Sequence, residues 1–366
     1  MSAAEAWREG QALLSARVAE APELLCRAFG THVPNLAAAL AGARALRTTG
    51  LGSSAGHARY LAHLLAERCR LPARFTPTGA FLAGPPAGAD EEVLFVFSQG
   101  LSPNARFALQ DPKAWRHVVL VSALASEPPP PSSHGSVSLP GPEPEAEELL
   151  AKLSEAGATI LPLPGDLERG TLLRVAGPLC GYAVALRIAQ ALALPEAGLA
   201  ELAAERIVAR VREAHAAESA LPPGALAGPL VLLASGSYAE LVGNLRLKLV
   251  EGLLRPPPAV WDPLEFVHGP FQQVFPGEAT LLLLSRAAAP REEELLGRLV
   301  SMLDPERHRL VRVPSERADE LAIFEHEARL NRIVLDQMAR ERVDPVSFPG
   351  RGADAPVYDF RPGRRS

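Results

Sequence analysis

The sequence has few cysteines and no long apolar run. Three cysteines occur among 366 residues, namely Cys26, Cys69 and Cys180, an odd and widely spaced set. This set argues against a disulfide framework and a thiolate metal site, and it is typical of a reducing compartment. No apolar stretch of about 20 residues is present to cross a bilayer, and the N-terminus, with Glu5 and Glu9, lacks the basic start of a signal peptide. We therefore expect a cytoplasmic protein that does not span a membrane.

The sequence also lacks a block of basic residues. Its formal net charge is −5 and its isoelectric point is near 6.0. We therefore expect neither a nucleic acid nor a membrane surface as partner. An anionic ligand would then be held by local dipoles and a few hydrogen-bond donors. With 48% apolar and 22% charged residues the composition is that of a globular protein, and the length suits two domains.

Short apolar runs alternate along the chain with segments of helical periodicity. Continuous runs such as VLFVF and VVLV are typical of parallel strands covered on both faces. Strands are predicted at 46–51, 74–75, 93–97, 118–121 and 159–163, and again at 230–234, 280–284 and 310–313. Helices are predicted within 3–46, after 52, over 172–194, after 237, within 292–303 and over 319–342. The repeated order predicts an α/β protein with two doubly wound parallel-sheet (flavodoxin-like or Rossmann-like) domains in tandem.

The same pattern predicts the domain boundaries. We expect N-terminal helices over 1–46, a first domain over 47–200, a connecting segment over 201–225, a second domain over 226–342 and a tail over 343–366. Consecutive prolines predict a loop at 126–136. The tail is rich in Pro, Gly and Arg and is expected to be irregular, and such a tail can close over a site.

Two hydroxyl-rich turns follow predicted strands of the first domain. The turn 52–56 (GSSAG) lies between a strand and a helix, and the turn 98–102 (SQGLS) follows the VLFVF strand. Both are expected at the carboxyl edge of the sheet, where ligands bind in doubly wound folds. Unpaired N–H groups, the positive end of a helix dipole and serine hydroxyls are donors suited to a phosphate. The turns therefore predict a phosphate-binding cradle.

Three other interpretations of these turns stay open. Ser53 and Ser102 could act only as helix caps, a role that serine fills well. The pattern G-x-S-x-G at 52–56 also fits the nucleophile elbow of a serine hydrolase. The glycines at 50–56, with Arg74 near the next strand, are weakly similar to an NADP-type dinucleotide site. The hydrolase pattern does not explain the second turn or the duplicated second half, and a lone glycine pattern is a weak signal for a dinucleotide site.

Four segments carry a family resemblance over nearly the whole chain. They are TGLGSSAGHARYLAHLLAE, LFVFSQGLSPNA, SGSYAELVGNLRLKLVEGLL and EFVHGPF. Together they resemble the isomerase half of glucosamine-6-phosphate synthase, a pair of sugar isomerase (SIS) domains. The resemblance implies a phosphorylated sugar as ligand and a homodimer in which His268 reaches into the partner's site. The sequence shows no counterpart of that family's glutaminase half, so we expect no ammonia from glutamine within this chain.

The resemblance also implies phosphate-binding residues. Ser53 and Ser54 match the hydroxyls of the family's Gly-Thr-Ser turn. Ser98 and Gln99 match the start of its Ser-Gln-Ser-Gly-x-Thr loop, and Ser102 stands where that loop has its threonine. The loop is one residue shorter here and lacks the middle serine, which weakens the expected grip on phosphate.

The family's reacting groups have counterparts in the second domain. Asn244, Lys248 and Glu251 follow the family's Glu-x-x-x-Lys-x-x-Glu pattern, and their spacing predicts that one helix face presents all three. Glu251 would move a proton between C1 and C2, Lys248 would stabilise the enediolate oxygen and His268, in a His-Gly-Pro turn, would open the ring. Alternatively, Lys248 and Glu251 form a solvated ion pair and His268 is an ordinary surface residue.

Two departures limit the predicted chemistry. Asn244 replaces the first glutamate of the pattern, and Arg351 stands nearest to the tail lysine that forms a Schiff base in the family. We therefore expect an aldose–ketose isomerase or deaminase-like enzyme for a hexose or hexosamine phosphate, without metal or cofactor. The alternatives are a sugar-phosphate sensor without catalysis and a scaffold with an empty cradle. The cluster 325–327 (Glu-His-Glu) lacks metal-ligand spacing and is interpreted as a solvated face.

Overall fold

The computed structural model divides the chain into two compact units. The first unit contains residues 20–205 and 347–366, and the second contains 1–19 and 206–346. The structure describes residues 3–126, 143–165, 168, 170–193, 204–218, 221–222, 224–226, 228–287 and 290–361. Beyond Ser126, the predicted proline-rich loop lies outside these residues. No helix in the described part of the chain has the length and apolar character needed to cross a membrane.

The first unit is built on a five-stranded parallel sheet. Its strands are β1 (Ala45–Gly50), β2 (Ala73–Phe75), β3 (Glu92–Phe97), β4 (His117–Ser122) and β5 (Thr159–Pro162). They lie in the order β2-β1-β3-β4-β5. The helices are α1 (Ala3–Phe29, shared with the second unit), α2 (Ala37–Leu40), α3 (Ser53–His63), α4 (Pro144–Glu155) and α5 (Ala176–Leu192). Every residue of β3 is buried, which confirms the strand predicted from the VLFVF run.

The second unit repeats this design with four parallel strands. They are β6 (Leu230–Leu233), β7 (Ala259–Trp261), β8 (Ala279–Ser285) and β9 (His308–Pro314), in the order β7-β6-β8-β9. Its helices are α6 (Ala204–Ala216), α7 (Tyr238–Val242), α8 (Arg246–Leu253), α9 (Pro263–Phe266), α10 (Pro270–Val274), α11 (Pro290–Met302) and α12 (Ala322–Glu341). A last helix, α13 (Ala355–Tyr358), lies in the tail segment of the first unit. The predicted fold class, two parallel α/β sheets in tandem, is confirmed.

Some predicted elements differ from the structure. Within 3–46, where helices were predicted, α1 ends at Phe29 and the single turn of α2 follows before β1 begins at Ala45. Strand β7 was not predicted, since three residues after a run of prolines give no periodic signal. The tail, expected to be irregular, contains the short helix α13.

A buried charge cluster joins the first three strands. Glu92 is 1% exposed, and its carboxylate accepts hydrogen bonds from Arg47 Nε at 2.7 Å and from Arg74 Nη2 at 2.8 Å. Burial acts to raise the pKa of Glu92, but the hydrogen bond and charge of Arg47, with those of Arg74, outweigh it and hold the pKa below its usual value. The cluster thereby fixes the amino-terminal ends of β1, β2 and β3 with a paired charge.

The carboxyl end of β1 is in unusually close contact with α3. A Cβ atom on Gly50 would lie 2.5 Å from the carbonyl oxygen of Ser54 and 3.0 Å from that of Phe97. Both neighbours are backbone atoms, which cannot move aside as the end of a flexible side chain can. Only glycine therefore allows α3 to begin directly over the end of the strand.

We expect Gly50→Ala to lower the free energy of unfolding by about 3 kcal/mol, because the added methyl group overpacks a site enclosed by backbone. Chemical denaturation followed by circular dichroism measures the change. Gly79→Ala is the matched control, since a Cβ at that position meets open space, and it should change stability by less than about 0.5 kcal/mol. Equal effects of the two variants would contradict the steric role of Gly50.

Candidate functional site

The two hydroxyl-rich turns lie side by side at the carboxyl edge of the first sheet. Strands β1 and β3 are hydrogen-bonded neighbours, and Gly50 is paired with Phe97 at their ends. The turns that follow these two strands therefore start next to each other. The strand order reverses between β1 and β3, and such a switch point opens a crevice that binds ligands in doubly wound sheets.

The first turn presents the start of α3. Gly52 caps the helix with φ 55° and ψ −131°, and a Cβ there would meet nothing within 4 Å. The amides of Ser54 and Ala55 donate back to the carbonyls of Leu51 and Gly52 at 3.0 Å. The prediction of unpaired N–H groups at this turn is therefore wrong for these two amides, because the first turn of the helix closes on itself. No serine side chain caps this helix, so capping alone does not explain Ser53, which is half-buried, or Ser54, which is buried.

The second turn is held by its own side chains. Ser98 Oγ accepts a hydrogen bond from the amide of Leu101 at 3.1 Å, and Ser102 Oγ donates to Asn104 Oδ1 at 2.9 Å. Ser102 begins the 3-10 helix Pro103–Leu109 without a side-chain cap bond. The capping interpretation therefore fails for Ser102 as well. Ser98 still has its hydroxyl proton to donate, because here it acts as an acceptor.

Leu101 gives the shortened loop an unusual backbone. Its φ is 49°, in the left-handed region, although the residue is fully buried and not a glycine. Arg106 Nε donates to the Leu101 carbonyl at 2.7 Å while its Nη2 pairs with Glu143 at 2.6 Å. Together with the Ser98 bond, these contacts hold a conformation that costs about 1–3 kcal/mol on its own.

A buried carboxylate fills the start of α5 next to Gln99. Glu168 is 2% exposed, and its carboxylate accepts the amides of Val175, Ala176 and Gly177 at 2.9, 3.0 and 2.7 Å. A Cβ on Gly177 would lie 2.6 Å from Glu168 Oε2 and 2.9 Å from Gln99 Nε2. The positive end of α5 is thus already neutralised by the chain itself, whereas α3 begins with glycine and serines.

The tail segment of the first unit contacts the element that follows the second turn. Phe360 stacks on Phe107 of the 3-10 helix, with ring centroids 5.3 Å apart, and Arg361 pairs with Glu145. Arg351 is exposed, and its guanidinium lies 5.7 Å from the Phe348 ring. The tail therefore contacts the 3-10 helix that begins directly after Ser102.

The hydrolase and dinucleotide interpretations do not fit the geometry. A nucleophile elbow needs an exposed serine on a strained turn, but Ser54 is 9% exposed and its φ is not positive. An NADP-type arginine would face the ligand, whereas Arg74 is bonded to the buried Glu92. The arrangement at the first turn fits an anion at the start of α3 better.

The three helix residues predicted in the second unit do not share one α-helix. Lys248 and Glu251 lie on α8, but Asn244 lies in the 3-10 turn Gly243–Leu245 that precedes it. The prediction of a single α-helix is therefore wrong for Asn244, because the chain tightens into a 3-10 turn there. The common face of the three side chains stays a prediction. Lys248 is buried, and its ammonium lies 2.5 Å from Glu327 of α12.

His268 is exposed in the turn between α9 and α10. Asp262 holds the surrounding turns: its Oδ1 accepts the amide of Leu264 at 2.8 Å, and its Oδ2 accepts the amide of Gly236 at 2.6 Å. Gly236 belongs to the Ser-Gly-Ser turn after β6, the counterpart of the first turn in the other unit. A carboxylate of the chain thus occupies that turn and disfavours an anionic ligand there.

The cluster predicted to be solvated is buried. Glu325, His326 and Glu327 are 4%, 0% and 1% exposed, so that prediction was wrong. His326 Nδ1 is 2.7 Å from Tyr238 Oη and its Nε2 is 3.1 Å from the Ser285 carbonyl oxygen. Burial lowers the pKa of His326 to about 4, against smaller contributions from backbone hydrogen bonds, so the ring stays neutral near pH 7.

Several residues at these sites were not found from the sequence. They are Thr78, which donates to the Gly50 carbonyl at 3.3 Å, together with Glu168, Asp262 and Glu327. Thr78, Asp262 and Glu327 act on partners 26 or more residues away, and Glu168 acts on amides seven to nine residues away across a loop. No helical or strand period marks such contacts. Only Asp262, followed by a proline at a helix start, had a recognisable capping signal.

Comparison of the sequence with known protein families and with curated proteins finds no match. The fold, in contrast, matches that of several solved structures along most of the chain. The C-terminal domain of glucosamine-fructose-6-phosphate aminotransferase from Francisella tularensis matches 92% of this chain and 98% of its own, with a TM-score of 0.62 at 11% identity. The predicted resemblance in fold to the isomerase half of glucosamine-6-phosphate synthase is thereby confirmed.

Two further solved structures share the fold. Glucosamine-6-phosphate deaminase from Thermotoga maritima matches 92% of this chain and 97% of its own, with a TM-score of 0.65 at 16% identity. Tagatose-6-phosphate ketose/aldose isomerase from Escherichia coli matches 91% and 94%, with a TM-score of 0.63 at 17% identity.

The two buried histidines predict a pH-dependent stability. Burial lowers the pKa of His215, like that of His326, to about 4, below the unfolded value of about 6.5. The unfolded chain then binds more protons, so the free energy of unfolding falls as pH drops from about 6.5 toward 4. We expect His326→Gln to remove about 2 kcal/mol of the loss between pH 7.5 and 5, measured by urea denaturation. His32→Gln, an exposed control, should keep the wild-type slope, and an unchanged slope in His326→Gln would contradict the assignment.

Proposed function

We propose that this chain is an enzyme that binds a hexose or hexosamine phosphate and interconverts its aldose and ketose forms, as an isomerase or a deaminase-like enzyme. The observation that carries the proposal is the pair of turns at the β1/β3 switch point. The solved structures with this fold include a tagatose-6-phosphate isomerase and a glucosamine-6-phosphate deaminase, which supports a sugar phosphate as the ligand class.

The phosphate would bind at the start of α3. Ser53 and Ser54 supply hydroxyls on the first turn, and Ser98, Gln99 and Ser102 line the neighbouring loop. Charge-assisted hydrogen bonds contribute about 1.5–3 kcal/mol each, so a few of them account for micromolar affinity. The carboxylates of Glu168 and Asp262 occupy the two other anion-binding positions described above, which favours the start of α3.

The proposed chemistry uses groups of the second unit. His268 would move protons on and off the ring oxygen to open the sugar. The Glu251 carboxylate would take the proton from one carbon of the C1–C2 pair and return it to the other, while a hydroxyl proton moves between O1 and O2. Lys248 would stabilise the enediolate oxygen. A hexosamine phosphate would lose ammonia by addition of water after the same proton transfer.

The proposal also covers the oligomeric state, the cellular location and the domain boundaries of the chain. A homodimer, in which the exposed His268 acts in the partner's site, and a cytoplasmic location remain parts of the proposal, as do the domain boundaries 47–200 and 226–342. The tail, docked on Phe107, would close over the bound sugar, and Arg351 would add a positive charge to the site.

A sugar-phosphate sensor is the second candidate function. The observation that favours it is the burial of Lys248 beside a carboxylate, which neutralises its charge. Arg351 in place of an imine-forming lysine points in the same direction. Under this alternative the cradle binds the sugar phosphate and no turnover occurs.

Ligand binding is testable by thermal shift. We expect fructose 6-phosphate or glucosamine 6-phosphate to raise the melting temperature of the wild type, because a ligand that binds only the native state stabilises it. Ser54→Ala should weaken binding by about ten- to a hundredfold, since it removes one donor to a charged group. Ser301→Ala, on the exposed face of α11, should bind like the wild type. A wild type that no hexose or hexosamine phosphate stabilises would contradict the proposal.

Turnover distinguishes the enzyme from the sensor. In deuterated water we expect the wild type to incorporate deuterium at C1 or C2 of these sugar phosphates, as detected by NMR. Glu251→Gln should lower the exchange rate by about a hundredfold or more while keeping the affinity, because only the proton carrier is lost. Glu240→Gln, an exposed carboxylate on α7, is the control. Saturated binding without exchange in the wild type would favour the sensor.

A further inference from the structure

The second sheet ends one strand earlier than the first. The strand orders β2-β1-β3-β4 and β7-β6-β8-β9 correspond strand by strand. In the first unit β5 lies outside β4, whereas in the described part of the second unit no strand lies outside β9. Strand β9 is therefore an edge strand, and its outer side lacks the counterpart of β5.

A groove lies beside β9, between the end of α6 and α12. Its volume of about 230 Å³ is below the roughly 300–1,000 Å³ of pockets for drug-sized ligands. Ala214, Ala217 and Ile333 contribute apolar surface to it. Three arginines, one from the strand and two from α12, also line it: Arg312, Arg329 and Arg332. The groove is thus small, and it is rich in guanidinium groups for a protein whose net charge is −5.

The backbone of β9 directs an amide away from the sheet. The amide of Ser315 donates to the carbonyl of Ser285 at 2.7 Å. Because successive residues of a strand direct their N–H and C=O groups to opposite sides, residues 309, 311 and 313 face β8 and residues 310 and 312 face outward. Among the residues that the structure describes, the amide of Arg312 has no acceptor. Arg312 therefore has a backbone N–H as well as its guanidinium to offer to a ligand.

Two of the three arginines have no carboxylate partner. Arg332 is neutralised within α12, since its Nε donates to Asp336 Oδ2 at 3.1 Å. Within the described ranges of the chain, Arg312 and Arg329 form no ion pair, and Arg329 Nε is buried without a hydrogen-bond acceptor. A guanidinium stays protonated in proteins, so this N–H cannot be lost by titration. A buried donor without an acceptor is costly, and an anion in the groove would remove that cost.

One carboxylate lies close enough to compete with such an anion. Glu218, just after the end of α6, also lines the groove. Its side chain is exposed, and an exposed carboxylate gains little from pairing with an arginine because water screens the charges. One glutamate also balances only one of the two unpaired arginines. The groove therefore keeps a positive charge.

Protection of the sheet edge explains only part of this arrangement. Charged residues and prolines on an edge strand prevent pairing with another chain, and Arg312 and Pro314 of β9 fit that role. Arg329 does not, because it lies on α12 and its Nε is buried. A partner for this donor has to enter the groove.

We propose that the groove between β9, α6 and α12 binds the phosphate group of a small metabolite. Arg312 would donate from its amide and its guanidinium, and Arg329 would donate from its guanidinium. These donors come from a strand and a helix, so they approach from different directions, which suits the three oxygens of a phosphate better than the two of a planar carboxylate. All lining residues belong to the second unit, and the inference does not depend on the sugar-phosphate site proposed in the first.

The test follows the Nε–H signal of Arg329 by NMR in the full chain, while inorganic phosphate is added at pH 7 and constant ionic strength. The signal is identified by its loss in Arg329→Gln, or in Arg329→Lys where the first variant does not fold. We expect a saturable shift with a dissociation constant of about 1–10 mM, because a few charge-assisted hydrogen bonds provide affinity of that order. Acetate should bind at least about tenfold more weakly, since it offers fewer acceptor oxygens.

Three variants of exposed residues test the assignment of the groove. Arg312→Gln should weaken phosphate binding about ten- to a hundredfold, because it removes one of the two unpaired guanidinium groups. Arg309→Gln is the matched control: Arg309 is exposed on the same strand but does not line the groove, so the affinity should stay within about twofold. Glu218→Gln should tighten binding about three- to fivefold, because it removes the competing carboxylate.

The same titrations state what would overturn the inference. No saturable shift of the Arg329 signal up to about 50 mM phosphate, well above the expected dissociation constant, would overturn it. Equal weakening by Arg312→Gln and Arg309→Gln would also do so, because it would indicate a general effect of charge. A phosphate response that Ser54→Ala abolishes and Arg312→Gln leaves intact would assign the ion to the start of α3, and would overturn this inference while supporting the proposed function.

Discussion

The contact between α3 and the end of β1 determines where the ligand groups of the first sheet lie. Because Gly50 has no side chain, the backbone of Ser54 approaches the strand end and the carbonyl of Phe97 directly. The helix start, with its serines and its partial positive charge, is thereby held against the loop that follows β3. The loop after β3 is held separately, because Ser98 and Arg106 form hydrogen bonds with the backbone of Leu101.

Charge pairing explains why the two similar sheets differ in their capacity for an anion. In the first unit, Glu168 fills the start of α5, and the proposed phosphate site is at the start of α3. In the second unit, Asp262 reaches the turn after β6 with its own carboxylate. Internal carboxylates thus accept hydrogen bonds at the start of α5 and at the turn after β6. Serines lie at the start of α3. In the proposed function, the duplicated fold therefore has a sugar-phosphate site in one unit.

The sequence predicted the fold well because parallel strands that are buried on both faces consist of continuous apolar runs, as at β3 and β8. It predicted the two turns because glycine and serine cluster after those strands. It did not predict β7, whose three residues are too few for a period, nor the left-handed conformation of Leu101, which depends on Arg106. Glu327 was interpreted as solvated because the 325–327 cluster lacks metal-ligand spacing, whereas its burial depends on the packing of α12 against α8. Contacts between distant residues leave no periodic trace in a single sequence.

The ion pair between Lys248 and Glu327 constrains which substitutions this chain can accept during evolution. Substitution of either residue alone removes the paired charge from a buried ion, so a lineage that loses one partner must pass through a destabilised intermediate or change both within few steps. A carboxylate gained at position 244 would relax that constraint if it paired with Lys248 from the 3-10 turn that leads into α8. Among related sequences, positions 244 and 327 are therefore expected to covary: where one position loses its acidic residue, the other gains one. A sequence with an acidic residue at both positions would be an intermediate between the two arrangements.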